Sequence, residues 1–438
     1  MFDLPKYGDG VCLARMAELL DRLAVDRARL QRGSVVVTGS NGKGSTAAFC
    51  ARIAHADGLR TGLFTSPHLF HVNERFQIDG VPIGDHPLVR LVARIKTAIA
   101  DISAVRAEQF GAFEAMFALA CLYFQENGCE FAVFEAGIGG RFDPVRLVGS
   151  PVTAVTSVDY EHVELLGNSL QLIVSDKSDA CACGGTIVYG ENCRSLRRHL
   201  VEYNRNRAVT SLFVRDEIRI GGEAASAPGQ RFDFGFEDCE FRSLDTSLIG
   251  AFQFNNAAIA IALFLLWRRR VQPGERSARI ETAVRSGLRD TRWPGRLEII
   301  RHVPLTVIDV GHTPDGIRQS LAGLKAAYGA QGWILVVGVS FDKKASEIAG
   351  ALAPSFDTII CTAAYHKGGD AAALAATVRK INPQADVRIA ATIEDAFGTS
   401  QALAVSLNRK IYVAGGLFTA IEFAAVARGD RAKDLEFF

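Results

Sequence analysis

Lys43, Ser45 and Thr46 lie in the run VVVTGSNGKGST (residues 35–46), whose residue types suit one task, holding phosphate. Glycines at 39, 42 and 44 let backbone N–H groups turn inward. A helix starting there adds positive potential, and Lys43 would meet the outer phosphates. The spacing is not the common one, because Gly44 separates Lys43 from the hydroxyl pair Ser45/Thr46. A bare glycine loop is also a tight turn. The lysine, together with an apolar run before the loop and a helical pattern after it, favours a nucleotide, with Gly39, Asn41, Gly42, Lys43, Gly44, Ser45 and Thr46 around its phosphates.

Further polar clusters stand where other apolar runs end. In TSPHL (65–69), Ser66 offers a hydroxyl and His68 a ring, although the segment alone reads as a turn. FEAGIGGRFD (134–143) is stronger, with Glu135 closing an apolar run before Gly137, Gly139 and Gly140, then Arg141 and Asp143. A carboxylate there, facing a phosphate loop, suits a Mg²⁺ ligand, while capping a helix or pairing with Arg141 is the plainer role. VTSVDYEHVELLG (155–167) repeats the pattern with Asp159, Glu161, His162 and Glu164. Each cluster alone has a bland explanation; three at successive strand ends beside a phosphate loop point to a site. Lys177 lies in LQLIVSDKSDA, where a lysine is usually a salt-bridged surface residue. RWPGRLE supplies Arg296, and IDVGHTPDG supplies Asp309 and His312, positions that would face the nucleotide across a cleft.

The elements that must carry these residues are α/β in pattern. Strands are expected at 34–38, 61–65, 131–135, 152–157 and 186–189, with helices at 44–56, 87–100 and 112–126, as in a mostly parallel sheet covered on both faces. Residues 211–242 (SLFV, EIRI, FDFGF and CEF, split by the polar loop GGEAASAPGQ) read as a small antiparallel flap. Helices at 255–269 and 276–288 close this part, and Pro294–Gly295 marks a joint. A second alternation follows, with strands near 305–309, 333–338, 357–361, 386–390 and 410–413. The expected division is 1–295 and 296–438.

The chain has 438 residues, 48% hydrophobic and 22% charged, with a net charge of +1, which fits an ordinary globular protein of two domains. Near-zero charge disfavours nucleic acid as a partner. The start MFDLPKYGDG is not a secretory signal, and the run Ala257 to Trp267 is too short to span a bilayer, so a cytoplasmic protein is expected. Nine cysteines in no regular framework suit reduced thiols. Cys181, Cys183 and Cys193 match zinc spacings poorly.

Taken together, GSNGKGST, GLFTSPHL, FEAGIGGR, SVDYEHVELLG, the Lys177 segment, FQFNNA, RWPGRLE and DVGHTP occur in an order that resembles the folylpolyglutamate synthase/dihydrofolate synthase family of the Mur ligase superfamily. The resemblance spans nearly the whole chain. It implies a two-domain Mur-ligase-like architecture: a P-loop parallel-sheet ATPase domain and a smaller Rossmann-like C-terminal domain. It also implies an ADP-forming ligase, in which a carboxylate takes the γ-phosphate of ATP and an amine then displaces phosphate from the acyl phosphate.

By similarity, Lys43 and the loop amides hold phosphates, with Ser45 beside them. Ser66, Glu135, His162 and Lys177 match Mg²⁺ ligands (two ions), Lys177 as the lysine carbamylated in this family. Gln253 and Asn256 match positions near the adenine, Arg296 an arginine reaching to phosphate, Asp309 an acid near the ribose, and His312 a catalytic-cleft histidine. The partners implied are a small-molecule carboxylate and an amino acid, acted on by a monomer without nucleic acid or membrane.

Departures fall on the substrate side. FDPVRLV replaces a pattern close to L-D-A-T-N-V after Arg141, Glu161 stands for an aspartate, and DVGHT stands for D-G-A-H-N. Gly415-Gly416-Leu417-Phe418 stands for G-S-L-Y. A paralogue using another carboxylate or amine is therefore the alternative. A non-catalytic nucleotide-binding protein is disfavoured by the retained Glu135, His162 and Lys177.

Overall fold

The computed structural model describes residues 4–5, 8–10, 13–106, 108–226, 229–272 and 278–435. Its first sheet has eight strands, in the spatial order Val81–Pro82, Phe76–Ile78, Thr61–Phe64, Phe131–Glu135, Ser34–Thr38, Val152–Val155, Thr186–Tyr189 and Thr210–Phe213. All pairings from Thr61–Phe64 onward are parallel. Val35 and Val37 enter one core and Val36 the other, and Phe131 and Val133 likewise oppose Ala132 and Phe134. Burial on both faces is why these strands are continuous apolar runs. The helices Lys43–Ala56 and Phe252–Val271 cover one face, and Leu13–Arg22 and Ala112–Glu126 the other.

The second sheet has six strands, ordered Glu298–His302, Leu305–Ile308, Lys410–Ala414, Trp333–Val337, Thr358–Cys361 and Asp386–Ile389, parallel except for the first. It too is buried on both sides, with Leu335 and Val337 facing one core and Ile334 and Val336 the other.

The flap is a three-stranded antiparallel sheet of Ile218–Ser226, Gly229–Phe236 and Cys239–Thr246. Two expectations about it change. SLFV belongs to the edge strand Thr210–Phe213 of the main sheet, paired with Thr186–Tyr189. Its partner lies far away in sequence, so local alternation could not choose the sheet. Most of GGEAASAPGQ is strand, since Ala225 and Ser226 pair with Gln230 and Gly229; hairpin hydrogen bonding overrides weak β-propensity. The helices Leu13–Arg22 and Arg27–Arg32 and the strands Phe76–Ile78 and Val81–Pro82 were not expected. Among the described residues no helix is long and apolar enough to cross a membrane.

The topology explains why the polar clusters meet. Thr61–Phe64, Phe131–Glu135, Ser34–Thr38 and Val152–Val155 are consecutive neighbours, so the loops after their carboxyl ends lie side by side. The second domain closes over them. Leu69 and Phe70 pack into its core, and the Arg428 guanidinium stacks 4.1 Å from the Phe70 ring centroid.

Candidate active site

The phosphate loop is shaped by what packs behind it. A Cβ on Gly39 (φ 139°) would meet the Thr156 hydroxyl at 2.0 Å, and one on Gly42 (φ 87°) the Asn256 amide oxygen at 2.4 Å. On Gly44 it would lie 2.8 Å from the Trp293 ring. Asn41 is tied down at its backbone: its N–H donates to Ser157 Oγ (2.8 Å) and its C=O accepts from Thr156 Oγ1 (2.6 Å). The Thr46 N–H bonds back to the Gly42 carbonyl (3.0 Å), so the amides of Gly42 through Ser45 have no acceptor within the helix. That is a cradle for an anion at a helix N-terminus.

Lys43 folds over the loop, donating to the carbonyls of Gly39 (2.8 Å) and Ser40 (3.3 Å). Ser45 and Thr46 are buried, and Thr46 Oγ1 has no hydrogen-bond partner among the described residues. Gln253, expected near a base, is fully buried. Its Nε2 reaches Ser45 Oγ at 3.5 Å, and its amide oxygen accepts from Asn256 Nδ2 (2.9 Å). Both side chains support the loop from behind.

Two carboxylates flank Lys43. Glu135 is 3% exposed and accepts from the Ser66 N–H at 3.0 Å. Burial pushes its carboxyl up to about 7, against the pull of Lys43, Ser66, Arg296 and Arg75. On the other side, burial also raises the Glu161 carboxyl, but Lys43 and Lys177 outweigh it and hold it at about 2. Glu161 accepts from Lys177 Nζ at 2.6 Å. Lys177 is 1% exposed, so it is no surface residue; burial lowers its pKa while Glu161 opposes the shift. His162 stands in a left-handed conformation (φ 43°) and is exposed to the cleft. Loss of hydration lowers its pKa, with Glu161 opposing and Lys177, Lys343 and Lys43 adding.

Of the four residues expected to hold Mg²⁺, Glu135 is joined to Ser66 by a hydrogen bond at the Ser66 N–H, and Lys177 and His162 both lie beside Glu161. Among the described residues no group of three or more His, Cys, Asp or Glu could hold an ion. The donors fit a cation that takes the rest of its shell from phosphate oxygens and water, as Mg²⁺ does.

From the second domain, Arg296 has no hydrogen bond or ion pair with any described residue. Its charge is felt by Glu135, Asp309 and His312, which places it between the sheets. His312 lies in the cleft, where loss of hydration above all, and then the charges of Lys343, Arg296 and Lys43, push its imidazole down to about 4, so it is neutral at pH 7. Asp309, expected near a ribose, is held by donors of its own domain. It is 1% exposed; one oxygen accepts from Gly311 N (2.8 Å) and Ser320 Oγ (2.9 Å), the other from Leu297 N (3.2 Å). Thr313 caps the helix Pro314–Tyr328, its hydroxyl accepting from Gly316 N at 3.1 Å. That helix start lies against the phosphate loop, since a Cβ on Gly316 would be 3.9 Å from the Asn41 amide oxygen.

Sequence reasoning missed Trp293, Lys343 and Arg75, whose Nε donates to Nδ1 of the buried His68 at 2.8 Å. Trp293 was present in RWPGRLE, and the extra Gly44 was its only other trace.

Residues 295–416 match the Mur ligase, glutamate ligase domain. The chain is 33% identical over 325 residues to the dihydrofolate synthase/folylpolyglutamate synthase of Bacillus subtilis, covering 74% of each chain. This chain belongs to the dihydrofolate synthase/folylpolyglutamate synthase family. It is 31% identical to the folylpolyglutamate synthase of Lacticaseibacillus casei, over 75% of this chain and 76% of that one. The solved Mycobacterium tuberculosis folylpolyglutamate synthase complexed with ADP and AMPPCP superposes with a TM-score of 0.85 at 25% identity, over 97% and 96% of the two chains. As a family member the chain is an ATP-dependent, ADP-forming ligase that makes a carbon–nitrogen bond, on the two-sheet Mur ligase fold.

Proposed function

We propose that this ligase joins glutamate to a pteroate- or folate-type carboxylate. The observation that carries the reading is Lys43 set between two carboxylates, Glu135 and Glu161, under a glycine cradle, with the unpaired Arg296 facing them from the other domain. A phosphoryl group passing from ATP to a substrate carboxylate needs such a surround, because charge spreads over its oxygens. Lys43 and the amides of Gly42 to Ser45 would hold the phosphates, Arg296 would meet the transferred group, and Ser66, Glu135 and His162 would hold Mg²⁺. When bound, the ion neutralises phosphate charge. His312, uncharged at pH 7, can accept a proton from the incoming amine.

Lys177 is proposed to carry a carbamate. Its ammonium is buried 2.6 Å from Glu161, and converting it to an anion would leave two negative groups side by side unless a cation lies between them. Lys177→Ala should lose activity and recover part of it with a short carboxylic acid that fills the vacated space. Failure of every such acid to rescue would count against the modification.

The relatives' names support folate and glutamate as substrates. A second reading, another amine, rests on Gly416 and Phe418, which lack the hydroxyls of the family pattern. Against it, Ser340 Oγ lies 3.9 Å from where a side chain at Gly416 would begin, and Thr313 is occupied as a helix cap. The test is product analysis with ATP, Mg²⁺, dihydropteroate or tetrahydrofolate, and competing amino acids. ADP and phosphate are expected, hydroxylamine should trap a hydroxamate, and L-glutamate should have the highest kcat/KM. AMP with pyrophosphate would end the acyl-phosphate route; preference for another amino acid would end the glutamate assignment.

A further inference from the structure

The segment 293–297 is fixed at alternate residues. Trp293 lies against Gly44, where a Cβ would be 2.8 Å from Cζ2 and 2.9 Å from Nε1 of the indole. Gly295 (φ 74°) is wedged between the domains, its missing Cβ 2.8 Å from Val310 and 3.2 Å from Leu69. Its carbonyl accepts from Val310 N (2.9 Å), and its N–H donates to Glu298 Oε2 (2.7 Å). The Leu297 N–H donates to Asp309 (3.2 Å). Between these anchors stands Arg296, unpaired with any described residue.

We propose that Trp293 is a positioning residue, which rests on the phosphate-loop helix at Gly44 and thereby sets where Arg296 meets the transferred phosphoryl group. The inference rests on the assignment of Arg296 to phosphate. Gly44 is the second residue of the helix Lys43–Ala56, between amides that have no acceptor within the helix. Nothing larger fits there under the indole, so the extra glycine in the loop is the complement of a ring on the interdomain joint. A rigid ring in contact with the loop moves when the loop moves. Because 295 and 297 are bonded to the edge of the second domain, the segment shifts with that edge as one unit and carries Arg296 with it. Loop occupancy and Arg296 placement thus become one variable.

The test is a kinetic cycle on the full chain with ATP, Mg²⁺, tetrahydrofolate and glutamate, alongside titration of tryptophan emission with MgADP. Trp293→Ala is expected to lower kcat about 10-fold or more, because small misplacements of a reacting group cost that much. KM for ATP should move by less than roughly 3-fold. Trp293→Phe should keep most of the rate, and Trp293→Ala with Arg296→Ala should be no slower than Arg296→Ala alone. MgADP should change the emission of the parent chain but not of Trp293→Phe, a readout independent of turnover and of whether the alanine variant folds. Losses that multiply in the double variant, or the full emission change persisting in Trp293→Phe, would overturn the proposal. Parental kcat in Arg296→Ala would instead remove the assignment of Arg296, and the emission titration would then judge the Trp293 contact alone.

Discussion

Glu135 and Asp309 occupy similar places in the two domains, each at the carboxyl end of an interior strand and each almost wholly buried. They differ in what satisfies them. Asp309 accepts from Leu297, Gly311 and Ser320, all near it in its own domain, so its charge is spent on holding the joint to the second sheet. Glu135 accepts from Ser66 alone among these bonds and otherwise faces the cations Lys43, Arg296 and Arg75. An acid at a strand end is thus no sign of chemistry by itself. The number of donors already committed to it separates a structural carboxylate from one left free for a ligand.

The largest effect that would sharpen this contrast is on turnover. Glu135→Gln keeps the shape and an acceptor for the Ser66 N–H but loses the charge, so kcat should fall on the order of 10²-fold or more with an undiminished thermal midpoint. A near-parental rate would break the comparison. Asp309→Ala should show the reverse. Three donors lose a charged acceptor, at a cost of about 3 kcal/mol in denaturant unfolding, with kcat per folded molecule falling far less than in Glu135→Gln.

A pH series gives a third test, in protein free of metal and nucleotide. Glu135 has a folded pKa of about 7 against an ordinary 4.5, so the folded state binds more protons between these values and its stability falls as pH rises through that window. The unfolding free energy of Glu135→Gln should therefore gain on the parent from pH 4.5 to 7 and level off above, a difference on the order of 3 kcal/mol. No pH-dependent gap would mean that the buried site relieves its charge in another way. The smallest effect belongs to Thr313→Ala, about 1 kcal/mol of stability from a lost helix cap, with amine preference unchanged. A changed preference would return Thr313 to the substrate side of the cleft.

Much of this was legible in the chain itself. The doubly buried strands appear as apolar runs because both faces pack, and the glycine loop with Lys43 appears because phosphate needs bare amides and a cation. Those are local demands, and each leaves a residue type in place. The antiparallel flap was legible, but the edge strand Thr210–Phe213 was assigned to it and the strand ends in GGEAASAPGQ were taken for loop, because pairing partners are not written in the local pattern.

Local patterns stop where a role is set by neighbours from elsewhere in the chain. The family resemblance placed Asp309 and Gln253 near the nucleotide, and the change from D-G-A-H-N put Thr313 among the altered substrate-side positions. Only the tertiary structure shows that their polar atoms are committed to the joint, the phosphate loop and a helix cap. The local pattern around Lys177 suits a surface lysine, and only the family resemblance marked it for the site; the fold buries it against Glu161. Gly44 read as a spacing anomaly until the joint laid Trp293 on it. The physical reason is the same in each case. Which groups are polar is written in the sequence, but how many partners each has left for a ligand is decided by burial and by residues that only the fold brings together.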